Sequence, residues 1–294
     1  MDSRAIKDHN SQSQSRPFIA LQSQVTKTCN LLTDIRIAKE TGHAGIEVNG
    51  DKLKRYLAQG YKIESLPPLF EDLPPVGLTY IQDVERQGSA YDDLARDCEG
   101  LCALAEKIGC PMVQLLTGPL DPAGRYQGLK GMPWPEMRKL TSQNLKRLGE
   151  IGKAHKVKFF LEPLTWAPLN TLEQALETID GAEQDNVGLV IDFWHLWDSG
   201  TTAKEIAKLD KDLIYCVHFC DSLEPWGERG TFEQRGRDVW TGGGRIPLQE
   251  WVDAVRATGF TGCWSCELLS PKYWELDPWK TAADLKAFLE YLLV

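Results

Sequence analysis

Four hydrophobic runs in the chain each end in a side chain that can bind a metal ion or move a proton. They are Phe159-Phe160-Leu161-Glu162, Val187-Gly188-Leu189-Val190-Ile191-Asp192, Leu213-Ile214-Tyr215-Cys216-Val217-His218 and Cys263-Trp264-Ser265-Cys266-Glu267. Three carboxylates and one imidazole make a mixed oxygen and nitrogen donor set, which suits Mn²⁺, Mg²⁺, Co²⁺ or Zn²⁺. An ion held there with open positions is a Lewis acid. Chelating a carbonyl and the neighbouring hydroxyl, it acidifies the adjacent C–H and stabilises the resulting enediolate. That chemistry needs a base on each face of the substrate. Glu162 and Glu267 are the candidates, each touching the metal as well. A carboxylate held by a cation is a weak base, so its second oxygen must stay free for this work. Any one of these residues alone is more often a loop cap or a solvated charge. The argument lies in all four ending strands of one sheet.

The runs are four to six residues long, rich in β-branched or aromatic residues, and each leads through a loop to a helical pattern. Such units read as parallel strands of an α/β barrel, whose C-terminal ends converge on one mouth. Phe18–Leu21, Ala44–Val48, Val76–Ile81 and Met112–Leu116 supply four earlier strands, with Glu47 near the exit of the second as a candidate substrate contact. Between them, Leu94, Cys98, Leu101, Ala105 and Ile108 step along one helical face. Thr171-Leu172-Glu173-Gln174 fits a capping box, and Asp277 caps a last helix beginning at Pro278. The glycine-rich stretch from Thr117 to Pro133 is expected to form a lid or wall of the site. Eight units and right-handed crossovers predict a single-domain (β/α)8 TIM barrel over residues 17–294, behind a disordered leader at 1–16. Strand parity fixes partners: if Glu162 faces inward so does Phe160, and likewise Asp192 with Val190, His218 with Cys216 and Glu267 with Ser265.

The 294 residues carry a net charge of −9 with Lys and Arg scattered, which excludes a partner such as nucleic acid or an anionic membrane held by general electrostatics. No apolar run approaches the roughly 20 residues that span a bilayer, and Met1–Arg16 has no apolar core of a secretory signal. Eight cysteines, mostly inside apolar runs, predict buried thiols in a reducing cytoplasm. Cys263 and Cys266 would face opposite sides of their strand, against a zinc knuckle or redox pair. His155, His43 and His9 lack a strand-end position and read as surface residues. Trp166, Trp194 and Trp240 follow strand ends, where an indole can stack on a sugar ring or an aromatic aglycone; Trp251, Trp274 and Trp279 read as packing. The partner is a small sugar or polyol, and a homo-oligomer is compatible with the sequence.

The segments Asn186–His195, Val217–Asp221, Trp240–Ile246 and Ser265–Leu268 resemble the xylose-isomerase-like sugar phosphate isomerase/epimerase barrels, and within them the inosose (2-keto-myo-inositol) isomerases. The likeness runs from about Phe18 onward. It implies metal ligation by Glu162, Asp192, His218 and Glu267, and a substrate-facing role for His195. It also implies substrate binding by an arginine in an Arg-x-x-Pro-Gly-x-Gly loop. Here Thr241 stands at the proline and Arg237 lies one residue upstream, with Asp238 in the arginine's place.

The sequence therefore predicts a metal-dependent isomerase or epimerase of a small ketose or keto-cyclitol. The same site could serve a lyase, either a keto-polyol dehydratase or a C-glycoside-cleaving enzyme. A three-metal phosphodiesterase ranks low, because five histidines in all, none ending strands two to four, are too few. A non-catalytic barrel would bind no stoichiometric metal.

Overall fold

The β/α alternation folds into a closed ring. The computed structural model describes residues 17–118, 128–227 and 236–294. The first half runs β1 (Phe18–Gln22), α1 (Leu31–Glu40), β2 (Gly45–Asn49), α2 (Gly50–Ala58), β3 (Pro75–Ile81), α3 (Ser89–Ile108), β4 (Met112–Leu116) and α4 (Trp134–Ala154). The second runs β5 (Lys158–Glu162), α5 (Leu172–Ala182), β6 (Val187–Asp192), α6 (Phe193–Asp198), α7 (Ala203–Ile206), β7 (Ile214–Phe219), α8 (Leu248–Ala257), β8 (Cys263–Cys266), α9 (Pro271–Trp274) and α10 (Pro278–Leu293). Each strand pairs in parallel with the next, and β8 closes on β1, giving the (β/α)8 TIM barrel.

Side-chain alternation sorts the strands into two apolar layers. Ala20, Val76, Phe160, Val190, Cys216 and Cys263 fill the barrel interior. Their outward neighbours, among them Leu21, Phe159, Leu161, Ile191, Val217 and Trp264, meet the helices. Cys263 thus lies inside and Cys266 outside, where its thiol donates to the Leu285 carbonyl, so the two do not form a pair. All eight cysteines are free. Helix ends follow local chemistry: the Thr171–Gln174 capping box opens α5, Asp277 caps α10, and Gly109 takes the left-handed conformation at φ 72° that ends α3.

Phe193–Asp198, directly after β6, is a helix whose first turn is capped by Asp192. One local expectation changes. His43 is not a surface residue; it is buried, with Nδ1 2.8 Å from the Thr41 hydroxyl. The leader at 1–16, His9 and most of the expected lid (119–127) lie outside the described residues. No helix among the described residues is long and apolar enough to cross a membrane.

A buried ion pair ties the β1–α1 loop to α2. Lys52 Nζ donates to the carbonyls of Ser23 (3.1 Å) and Thr26 (2.7 Å) and to Asp34 Oδ2 (2.7 Å), using all three ammonium protons. The loop so anchored carries Gln24 and Lys27 to the barrel mouth.

His43 gives a pH-dependent stability. Burial, reinforced by Lys286, lowers its pKa from 6.5 to about 4. Between those values the unfolded chain binds a proton that the folded chain refuses. The contribution of a neutral His43 is therefore complete above pH 6.5 and is lost as pH falls toward 4. Denaturant unfolding of the wild type should weaken more steeply over that window than unfolding of His43→Gln. Equal slopes for the two proteins would rule this out.

Candidate metal centre

The register of the last strands brings the four strand-end donors together. Asp192 pairs with His218 across β6 and β7, His218 with Ser265 across β7 and β8, and Glu267 follows one residue beyond β8. The donor atoms of Glu162, Asp192, His218 and Glu267 all lie within 4.8 Å of one another, and all four residues are buried. From His218 Nδ1, the distances are 3.6 Å to Glu162 Oε1, 3.8 Å to Asp192 Oδ2 and 3.9 Å to Glu267 Oε2. Two ligands each about 2.1 Å from a shared ion lie at most about 4.2 Å apart. All three gaps satisfy that bound.

Each carboxylate divides its oxygens between protein and centre. Glu162 Oε2 accepts from the Gln114 amide at 2.6 Å, leaving Oε1 buried without a hydrogen bond. Asp192 Oδ1 caps α6 through the His195 N–H at 2.8 Å and turns Oδ2 inward. Glu267 Oε1 accepts from the Gln22 amide at 2.9 Å and turns Oε2 inward. His218 does the same with its ring: Nε2 is 3.1 Å from Glu47 Oε1, and Nδ1 is buried with no hydrogen-bond partner. Orphaned buried polar atoms are rare and costly. Here Glu162 Oε1 and His218 Nδ1 point at one spot beside two further carboxylate oxygens, which is the donor set a divalent cation takes. The residues fit the ion.

The charges are crowded. Burial pushes the Asp192 carboxyl well above its ordinary range, and Glu267 and Glu162 add to this against Arg237. Burial likewise raises Glu162. Burial would also raise Glu267, but Arg237 and His218 outweigh it and hold this carboxyl down at about 2. Arg237 Nη2 donates to Asp192 Oδ2 at 3.2 Å and to Glu267 Oε2. Its Cys263 neighbour and burial push the Cys216 thiol well above its ordinary range, and its Sγ lies 4.0 Å from Glu47 Oε2. Cys220 Sγ approaches both Asp192 oxygens, at 3.5 and 3.6 Å.

The remaining expected site residues divide by position. His195 faces the centre: its Nε2 is 3.8 Å from Glu162 Oε1, and its Nδ1 accepts the Thr165 N–H at 3.3 Å. That acceptor role leaves the ring proton on Nε2. Arg237 reaches the centre despite its upstream placement, because the Val239 N–H returns to the Arg237 carbonyl and this tight turn takes up the extra residue. Trp166 lines the cavity and packs edge-on against His195 at 5.3 Å. Trp194 is fully buried beneath the Arg237 guanidinium, 5.3 Å from it, and Trp240 packs on Tyr273. Neither lines the cavity. Glu47, expected to face substrate, lies behind the His218 ring instead, with its side chain wholly buried. Gln22 and Gln114 were not anticipated, although each holds a carboxylate in place.

A cavity of about 220 Å³ opens over the centre. Glu162, Glu267, His195 and Arg237 line it together with Gln24, Lys27, Tyr80 and Trp166. Its lining combines apolar side chains, Leu116, Leu164, Trp166 and Leu269, with hydrogen-bonding ones, the mixture that small-molecule sites use.

Residues 35–291 match the model of the xylose isomerase-like TIM barrel family. An inosose isomerase of Halalkalibacterium halodurans is 28% identical over 273 residues, spanning 90% of this chain and 92% of that protein. A 3-dehydroshikimate dehydratase of Pseudomonas aeruginosa is 27% identical over 155 residues, 52% of this chain and 24% of the other. Among solved structures, the IolI protein with a binding zinc atom superposes with a TM-score of 0.84 at 23% identity, over 94% of this chain and 97% of that one.

Proposed function

The chain belongs to the xylose isomerase-like TIM barrel family, and from that premise we propose that it is a divalent-metal-dependent isomerase or epimerase of a small ketose or keto-cyclitol. The observation that carries the reading is the convergence of Glu162, Asp192, His218 and Glu267, each with one donor atom turned to a common point. The inosose isomerase likeness over nine-tenths of the chain supports the substrate class. A reducing cytoplasm suits the free thiols.

A divalent ion on these four residues supplies Lewis-acid polarisation of a carbonyl and its neighbouring hydroxyl. The protein groups do the rest. Glu162 ends β5 and Glu267 directly follows β8, three strands further round the ring. One removes the proton from the hydroxyl-bearing carbon, and that electron pair forms the enediolate double bond. A proton delivered to the former carbonyl carbon, with the hydroxyl proton passing to the former carbonyl oxygen, completes an isomerisation; one returned to the opposite face of the first carbon completes an epimerisation. The glutamine amides on Glu162 and Glu267 orient both carboxylates, and each amide-bonded oxygen keeps a second lone pair for a proton.

His195 serves as a neutral donor. Burial first, then Arg237, pushes its pKa well below the ordinary value, so the Nε2–H offers a hydrogen bond to a substrate oxygen without carrying charge. Arg237 binds a second oxygen, and Trp166 covers the apolar ring face.

A lyase on the same site is the second reading, favoured by the partial dehydratase likeness. One experiment separates them. Incubated with metal and a keto-inositol in deuterated water, the protein should return a recovered isomer carrying solvent deuterium on carbon. Loss of water from the substrate would replace the isomerase reading with the lyase. An unchanged substrate with no deuterium would defeat both for this substrate class.

A further inference from the structure

Glu47 is buried beside the centre, and the proton-transfer chemistry above gives it no task. Its side chain is fully inaccessible. Burying a carboxylate is costly unless hydrogen bonds compensate. Glu47 has three such partners. His218 Nε2 lies 3.1 Å from Oε1, the Ser265 hydroxyl donates to Oε2 at 2.8 Å, and the Cys216 thiol reaches the same oxygen at 4.0 Å. All three come from the closing strands β7 and β8, across the barrel from β2.

The backbone is arranged to put the carboxylate there. The β2–β3 register shifts between Ile46 and Glu47, an irregularity of the kind that re-aims a side chain in a sheet. On β3, opposite, stands Gly77. A Cβ at that position would lie 3.2 Å from Glu47 Cγ and 3.3 Å from the Phe160 ring, so the missing side chain makes the room. Phe160 in turn meets the His218 ring edge to face at 6.2 Å. The imidazole is thus held in its plane by an aromatic neighbour and at one nitrogen by a carboxylate.

The other nitrogen shows what this holding achieves. Nδ1 is 3.6 to 3.9 Å from three carboxylate oxygens, too far for an N–H there to make a good hydrogen bond. With the ring proton on Nε2, Nδ1 would turn a lone pair to the same point as those oxygens. Which nitrogen bears the proton is set by the hydrogen bond the other makes, and a carboxylate at Nε2 draws the proton to Nε2.

We propose that Glu47 is a positioning residue: by accepting from His218 Nε2, with Ser265 holding its other oxygen, it keeps the imidazole in the tautomer whose Nδ1 can ligate, and so sets the affinity of the centre for a divalent cation. This rests on the metal reading of the centre but assigns Glu47 a task distinct from ligation and from substrate contact.

The test is metal affinity, measured on the full chain by competition for Zn²⁺ with a chromophoric chelator, with nitrogen NMR of the His218 ring as a second readout. Glu47→Gln keeps the shape but loses the charge, and its amide can donate to Nε2 as readily as accept. It should bind Zn²⁺ about 10- to 100-fold more weakly, with part of the His218 population shifted to the Nδ1–H form. Ser265→Ala, which removes only the donor behind Glu47, should weaken binding by a smaller factor and leave the fold intact. It keeps the idea testable if Glu47→Gln does not fold.

Folded Glu47→Gln that binds Zn²⁺ as tightly as wild type, with an unchanged His218 tautomer, would overturn the proposal while leaving the metal centre standing. Wild-type affinity in Ser265→Ala, should that be the only folded variant, would do the same. A wild-type protein that binds no divalent cation would overturn the metal reading itself, and this proposal with it.

Discussion

Dialysed against a strong chelator, the protein is expected to lose turnover of a keto-inositol and to melt at a lower temperature, and one divalent ion per chain should restore both. The reason is electrostatic. Glu162, Asp192 and Glu267 aim oxygens at one buried point, and burial already drives Glu162 and Asp192 toward protonation. A cation on that point lets all three ionise at once. An ion that binds only the folded chain, at a thousand times its Kd, adds about 4 kcal/mol of stability. For a domain of this size that corresponds to a rise on the order of 10 °C. Asp192→Asn should blunt both effects, because it removes a charge from the centre while its side-chain oxygen can still cap α6 through the His195 N–H. Scanning calorimetry with Zn²⁺, Mn²⁺, Co²⁺ and Mg²⁺ in turn also ranks the ions. A melting temperature indifferent to chelator and to every ion would remove the centre from the mechanism.

The four candidate ligands were legible because strand ends obey parity. Once Glu162, Asp192, His218 and Glu267 were placed at the ends of parallel strands, a closed barrel had to bring them to one mouth, and Phe160, Val190, Cys216 and Ser265 had to follow them inward. The interior layer contains the apolar members of that set, and Ser265 reaches Glu47 inside the ring.

What stayed hidden has identifiable causes. Gln22 also ends its strand, but a neutral amide carries no charge to mark it out beside acidic and imidazole strand ends. Gln114 sits mid-strand in Met-Val-Gln-Leu-Leu, where a lone polar residue inside a buried run was the available signal. Glu47 failed the other way: its place near a strand exit suggested the mouth, while the register shift beside it sends the carboxylate behind His218. Such a shift has no local sequence mark. The Lys52–Asp34 pair joins residues brought together by the packing of α2 on α1, which no periodicity reports. Arg237 lies one residue upstream of the place the likeness implies, and the turn at Asp238 reconciles its position with the centre.

Replacing Glu162 or Glu267 by glutamine should separate proton transfer from metal binding. Each glutamine keeps the shape and an oxygen donor but cannot carry a proton at neutral pH. General acid–base catalysis of this kind contributes roughly 10²- to 10⁴-fold, so kcat should fall by that factor in both variants. The two should differ in what they still exchange. If Glu162 and Glu267 serve opposite faces, each single variant should still wash solvent deuterium into one stereoisomer at the carbon it can reach, while interconversion stops. If one carboxylate does all the work, one variant loses exchange entirely and the other keeps both exchange and turnover. Metal content must be measured alongside, because Glu162 Oε1 and Glu267 Oε2 both face the ion's position. A variant without metal reports on ligation rather than on chemistry. Full exchange and full turnover in both metal-loaded variants would mean that the proton is handled elsewhere. His195, 3.8 Å from Glu162 with its Nε2–H turned to the centre, would then be the next group to test.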